Sequence, residues 1–301
     1  MATFREKKII ITGHTGFKGS WLSSWLKKLG AKLYGVSSYI PSNPSMYEVI
    51  NHNLFEKEFN LDITFKDKVV DIFKSIEPDY VFHLAAQPLV SVSYENPSNT
   101  IMTNSIGTMN ILEGLKTIKK KVTAIFVTSD KVYHNSEWIW GYREIDRLGG
   151  KDPYSASKAM AENVIYSYFN SYFRDTNTKI GIVRAGNVIG GGDWAKNRLI
   201  PDCIRAWTNR DPVKVRNPSS TRPWQHVLEP LGGYLLLAKK MDLHSNLSGE
   251  AFNFGPMSEE NKTVLQVLNT SKNFFGHVNF DIHKDKNTNF KEANLLKLNC
   301  D

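Results

Sequence analysis

Between the apolar run Ile9-Ile10-Ile11 and a segment of helical periodicity from Trp21 to Leu29, the chain carries Gly13-His14-Thr15-Gly16-Phe17-Lys18-Gly19. Glycines at the first, fourth and seventh positions of a strand-to-helix turn restrict the fold more than any other feature of the sequence. They let the backbone turn tightly and approach a pyrophosphate, and they present N–H groups at the positive end of a helix to its charge. A glycine pattern alone is weak, and the strand before it and the helix after it give it meaning. Gly13, Thr15, Gly16, Phe17, Lys18 and Gly19 are therefore expected to cradle a dinucleotide.

The rest of the first 186 residues repeats that alternation. Strands are expected at 7–12, 32–37, 80–84, 123–128 and 180–184, and helices at 65–76, 101–115 and 155–173. Such alternation predicts an α/β fold, a doubly wound parallel sheet of the Rossmann kind with helices on both faces. Beyond Gly186 the pattern loosens into Gly190-Gly191-Gly192, prolines and scattered aromatics, which suits a smaller, discontinuous substrate-binding lobe at 187–226 and 256–301. The helical stretch within 227–255 and the strand-like 251–254 are expected to return to the main sheet.

Composition narrows the class. The chain has 301 residues, 41% hydrophobic and 23% charged, and no uninterrupted apolar stretch long enough for a membrane span. A charged start with no signal-peptide pattern points to the cytosol. Cys203 and Cys300 are too few for a disulfide framework and lack metal-ligand spacing, so free thiols and no metal are expected. The net charge of +8 suits an anionic ligand, but its densest run, Lys116 to Lys121, falls at a predicted helix end and reads as a solvated terminus, not a nucleic-acid surface.

At the end of the second strand an acid commonly holds an adenosine ribose, yet Ser37 and Ser38 stand there. With neither a carboxylate nor an arginine at that place, NAD and NADP are both left open. Asp62 is a candidate to face the adenine, with an ordinary loop aspartate as the alternative.

Tyr154 and Lys158 open a strong helix four residues apart, on one face. A tyrosine titrates near ~10, and a neighbouring ammonium favours its phenolate, a base for a hydroxyl proton as hydride leaves. Thr128-Ser129-Asp130-Lys131 follows a predicted strand, at the edge of the sheet where such folds bind ligands. Ser129 can share a hydrogen bond with a substrate hydroxyl, and Asp130 can donate a proton. His226 reads as a packed, hydrogen-bonded histidine beside the lobe boundary.

Glycine turn, Ser-Asp-Lys and Tyr-x-x-x-Lys occur in one order, within GHTGFKGSWL, HLAAQPLVSVSYENP, VTSDKVY, WGYREIDRLGGKDPYSASKAMAE, RAGNVIGGGDWAKNRLIPD and RPWQHVLEPLGGYLLLA. Over most of residues 9–256 the chain resembles the extended short-chain dehydrogenase/reductases of the NAD-dependent epimerase/dehydratase family, and within them the CDP-glucose 4,6-dehydratases. The resemblance implies an enzyme, a lyase that converts a CDP-glucose substrate with NAD reduced and reoxidised in each turnover, in deoxysugar biosynthesis for surface polysaccharide. It implies that Tyr154, with Ser129 and Lys158, deprotonates the C4 hydroxyl and that Asp130 protonates the departing C6 hydroxyl. Lys131, where related dTDP-glucose enzymes carry a glutamate, would take the C5 proton, for which it must be neutral, through burial or a cationic neighbour. By the same resemblance Ile63, Leu84, Ala85, Ala86 and Thr103 join Asp62, Tyr154 and Lys158 around the cofactor. Gln87, Ser129, Asn187 and Arg222 then face the substrate, and a homodimer forms through helices flanking the sheet.

Members of that family continue past the point where this chain stops, so the lobe is expected to be cut short at its C-terminus. Alternatives stay open: a dehydratase for another nucleotide sugar, a 4-epimerase, or a catalytically silent nucleotide-binding protein.

Overall fold

The run Lys8-Ile-Ile-Ile-Thr12 is apolar on both faces, and a strand covered from both sides buries it. It forms β1 (Lys8–Thr12), with Ile9, Ile10 and Ile11 fully buried. The computed structural model describes residues 2–50, 52–257, 261–275, 278–282 and 293–300. The other early strands are β2 (Lys32–Ser37), β3 (Phe55–Asn60), β4 (Tyr80–His83), β5 (Val122–Val127) and β6 (Thr178–Ala185). Short strands follow: β7 (Val188–Ile189), β8 (Val213–Val215), β9 (Thr221–Arg222), β10 (Gln225–His226), β11 (Ala251–Phe254), β12 (Lys262–Thr263) and β13 (Phe280–Ile282).

Seven strands make one sheet in the order β11-β6-β5-β4-β1-β2-β3, with every neighbouring pair parallel. The doubly wound expectation holds. The order turns back between β1 and β4, so the connections leave to opposite sides there and open a crevice at the carboxyl edge. Alternation along β1 divides the core. Ile9 and Ile11 pack with the helices Phe17–Lys28 and Leu228–Met241, while Ile10 packs with Lys66–Ile76, Gly107–Lys116 and Pro153–Tyr168. The helix Leu228–Met241 packs on the sheet and β11 pairs with β6.

Two features differ from the sequence expectation. β3, a span to which the sequence pattern assigned no element, is an edge strand whose Glu56, Lys57 and Glu58 are all exposed, so apolar patterning gives it no signal. The helices expected at 101–115 and 155–173 each contain a wider π-helical turn, Met102–Ile106 and Phe169–Phe173, so neither keeps one period throughout.

Cys203, Trp207, Val213, Val215 and Leu268 form an apolar cluster separate from those of the main sheet. Burial pushes the Cys203 thiol up to about 12. Of the stretch 256–301 assigned to the lobe, residues 258–260, 276–277, 283–292 and 301 lie outside the described residues. Residues 293–295 lie against Thr221 and Arg222, while Leu296 and Leu298 join Val132, Tyr133 and Tyr142 beside the main sheet. Lys116 closes its helix beside Glu113, and Lys120 and Lys121 reach Asp79 and Asp242, as expected of a solvated terminus. Among the described residues no helix is long and apolar enough to cross a membrane.

Candidate active site

The turn after β1 leaves no room for side chains. Gly13 has φ +73°, and a Cβ there would fall 2.7 Å from the Ala85 nitrogen; a Cβ on Gly19 would fall 2.1 Å from the Gly13 carbonyl oxygen. Gly16 caps the helix Phe17–Lys28 without a side-chain hydrogen bond, so the first helical N–H groups have no competing side-chain acceptor. Gly13, Thr15, Gly16, Phe17, Lys18 and Gly19 all line one cavity of about 1180 Å³ at the carboxyl edge of the sheet. A cradle that any Cβ would fill, at the strand-order reversal, fits a dinucleotide pyrophosphate.

A proton chain fixes the opposite wall. Thr108 donates to the Asn104 carbonyl at 2.7 Å and so accepts from His83 Nε2 at 3.0 Å. His83 Nδ1 then accepts from Thr12 at 2.7 Å, and Thr12 Oγ1 accepts from the Ala85 N–H at 3.2 Å. Burial, with Lys158 nearby, pulls His83 down to about 3, so the chain keeps one tautomer across the working range. It ties β1, β4 and the helix Gly107–Lys116 together beneath Leu84, Ala85 and Ala86, which line the cavity with Thr103. Asp62 and Ile63 reach the same wall, Asp62 accepting from the Thr64 N–H at 2.9 Å.

The reacting groups converge from two elements. Ser129, Asp130 and Lys131 follow β5, and Tyr154 and Lys158 lie in the first turns of the helix Pro153–Tyr168, which Asp152 caps through the Ser155 N–H at 2.9 Å. All five line the cavity. Ser129 donates to Asp130 Oδ1 at 2.9 Å, and Lys131 Nζ lies 3.2 Å from the same oxygen. Asp130 Oδ2 is buried without a partner. Lys131, its side chain 28% exposed, has the Asp130 carboxylate as its partner.

Burial raises Tyr154, while Lys131 and a hydrogen bond with Ser129 act in the opposite direction. The sequence assigned that lowering to Lys158. In the structure Lys158 instead donates to the Val127 carbonyl at 3.2 Å, and burial pulls it down to about 8 against the support of Glu162. Lys18 reaches the Tyr234 hydroxyl at 3.2 Å and falls to about 7, through burial first and then repulsion from Lys158 and Arg198.

The expected substrate residues also line the cavity, the Gln87 and Arg222 side chains and the Asn187 main chain each with a partner. The Gln87 amide meets Leu89 and Thr100, Arg222 donates to the carbonyls of Thr221 and Ala293, and the Asn187 carbonyl accepts from Gln225. His226 is exposed on β10 rather than buried, but it is hydrogen-bonded, its Nδ1 accepting from the Leu228 N–H at 3.3 Å, and its ring lies edge-on to Trp21. Missed from sequence were Arg198 and the buried Glu162–Arg184 pair. Glu162 sits one turn past Lys158, a spacing that was available to find it.

The sequence pattern of the NAD dependent epimerase/dehydratase family matches residues 9–255. The chain belongs to that family. Every site position named above falls inside the matched span. Among relatives in this family, CDP-glucose 4,6-dehydratase of Salmonella typhimurium is 44% identical over 99% of this chain and 84% of its own length. The dTDP-D-glucose 4,6-dehydratase of Dictyostelium discoideum is 28% identical over 83% of this chain and 58% of its own. The crystal structure of UDP-glucose 4-epimerase from Thermotoga maritima superposes with TM-score 0.82 at 22% identity, over 98% of this chain and 89% of that one, which shows the shared fold.

Proposed function

We propose that this member of the NAD dependent epimerase/dehydratase family is a CDP-glucose 4,6-dehydratase. The observation that carries the reading is the single cavity in which a dinucleotide cradle faces Ser129, Asp130, Lys131, Tyr154 and Lys158. NAD, when bound, supplies the acceptor for hydride from C4 of the sugar and its donor back to C6. The 44% identity to a CDP-glucose 4,6-dehydratase supports both the reaction and the base of the nucleotide.

In this reading Tyr154 takes the C4 hydroxyl proton and Ser129 holds that hydroxyl. The resulting ketone acidifies C5, whose proton passes to Lys131 in its neutral form as Asp130 gives its own proton to the leaving C6 hydroxyl. Asp130 Oδ2, buried and unpartnered, supports its part as the group meeting a ligand oxygen. A 4-epimerase needs no acid at C6 and no base at C5, so the Asp130–Lys131 pair favours dehydration. Arg222 would turn from its backbone partners to the substrate pyrophosphate, and the Asn187 side chain would join it there. Exposed Met102, Met160 and Tyr166 on the flanking helices support a homodimer, and we place the protein in the cytosol.

The test incubates the purified protein with NAD and CDP-glucose, with UDP- and dTDP-glucose in parallel, and follows the alkali-induced near-ultraviolet absorbance of a 4-keto-6-deoxy sugar. Product from CDP-glucose alone is expected. No product from any of the three, with NAD bound, removes the dehydratase reading.

A further inference from the structure

Ser37 ends β2 where the usual ribose-holding acid is absent. Behind it the neighbouring strand β3 supplies one. Glu58 lies 2.8 Å from His14 Nε2, and His14 Nδ1 lies 3.0 Å from Ser37 Oγ. His14 is 3% exposed and fixed in place, stacked edge-on to Tyr47 and Phe55 and against Gly35, where a Cβ would fall 2.7 Å from its ring.

The proton positions follow from these partners. A carboxylate only accepts, so Glu58 requires the proton on Nε2. Burial, the largest influence, holds His14 below its ordinary pKa, so near neutral pH the ring carries that single proton and Nδ1 accepts. Without a proton Nδ1 has nothing to give the Val36 carbonyl beside the ring, and the Ser37 hydroxyl, 3.0 Å away, is the donor to Nδ1. With its hydrogen committed, Ser37 Oγ offers only lone pairs, one of them approached by the Thr15 N–H at 3.4 Å. Tyr47 donates to the same Glu58 oxygen at 2.6 Å and holds the carboxylate in position.

We propose that Glu58 and His14 act through Ser37, which lines the cavity, to set a preference for NAD over NADP. The inference rests on the dinucleotide reading above. A ribose 2′-hydroxyl can donate to the Ser37 oxygen. A 2′-phosphate meets that acceptor with acceptors of its own, and no arginine stands at the end of β2 to receive its charge. Ser37 is the contact; Glu58 and His14 are positioning residues that decide which way its hydroxyl points.

Dissociation constants for NAD and NADP, measured by calorimetric titration of the full chain and its variants, test the relay. Wild type is expected to favour NAD by at least about tenfold, and Ser37→Ala to lose about fivefold to tenfold of that ratio, the worth of one hydrogen bond. Glu58→Leu frees the ring to change tautomer and should lose as much, while Ser37→Ala/Glu58→Leu loses no more than either alone. Glu58→Gln, whose amide oxygen still accepts from Nε2, keeps the ratio. An unchanged ratio in Ser37→Ala or Glu58→Leu, or losses that simply add in the double variant, overturns the relay with dinucleotide binding intact. A wild type that binds neither dinucleotide overturns the proposed function and the relay together.

Discussion

Lys131 Nζ lies 3.2 Å from Asp130 Oδ1, while the other oxygen of the same carboxylate, Oδ2, is buried with no partner. The lysine therefore fixes the carboxylate and leaves one oxygen for a ligand. Asp130→Asn keeps the shape and removes the proton donor, so kcat should fall about 10²–10⁴-fold, the usual weight of a general acid. Oxidation at C4 does not use Asp130. Reduced NAD should then accumulate in a single turnover followed by rapid-mixing absorbance, and a variant that accumulates none while losing activity would remove Asp130 from the elimination step.

Tyr154 must shed a proton to act as a base, and burial holds its pKa above the ordinary value, partly offset by Lys131 and Ser129. The rate of C4 oxidation should rise with pH as the phenolate fraction grows. Ser129→Ala removes one lowering influence, so the rising limb of kcat/KM should move to higher pH, and Tyr154→Phe should lose about 10²–10⁴-fold. A limb that stays in place in Ser129→Ala would show that another group sets it.

The sheet and the glycine turn were legible because their residues obey short-range rules. Buried parallel strands are continuous apolar runs, and Gly13 and Gly19 occupy places where a Cβ collides with backbone. β3 was not legible, since Glu56, Lys57 and Glu58 are polar and exposed on an edge strand and carry no apolar alternation. The site residues were visible as types at motif spacing, but their partners were not. That Lys131 rather than Lys158 acts on Tyr154, and that Arg222 spends its donors on backbone carbonyls, follows from long-range packing that spacing does not encode.

Two glycines separate a steric requirement from a neutral one. Gly19→Ala places a Cβ 2.1 Å from the Gly13 carbonyl oxygen, whereas Gly191→Ala meets nothing within 4 Å. The first should abolish measurable NAD binding in a titration and lower the melting temperature; the second should leave NAD binding intact. Retained binding in Gly19→Ala would show that the turn relaxes where the structure gives it no space.

Lys18 titrates at about 7, against 10.5 for an ordinary lysine, so between those values the unfolded chain holds a proton that the folded chain has lost. Stability conferred by this group is therefore present above 10.5 and lost as pH falls through about 7. Lys18→Met removes the charge and should raise the melting temperature more at pH near ~6 than near ~10, by thermal denaturation in matched salt. An equal change at both values would mean that Lys18 keeps its hydration in the cavity.

Glu162 and Arg184 are 2% and 4% exposed at their side chains and pair at 2.5 Å, with Thr128 also donating to Glu162 and Arg184 to the Tyr133 hydroxyl. Removing one partner strands the other charge in the core. Arg184→Met should cost about 3–5 kcal/mol in urea denaturation, and Glu162→Gln/Arg184→Met should recover part of that loss because no charge is left uncompensated. Glu162→Gln alone should also act on Lys158, whose pKa Glu162 supports, and draw it further below about 8. A double variant no more stable than Arg184→Met would show that the arginine's bonds to Tyr133 and the Glu144 carbonyl, rather than the buried charge of Glu162, carry the loss.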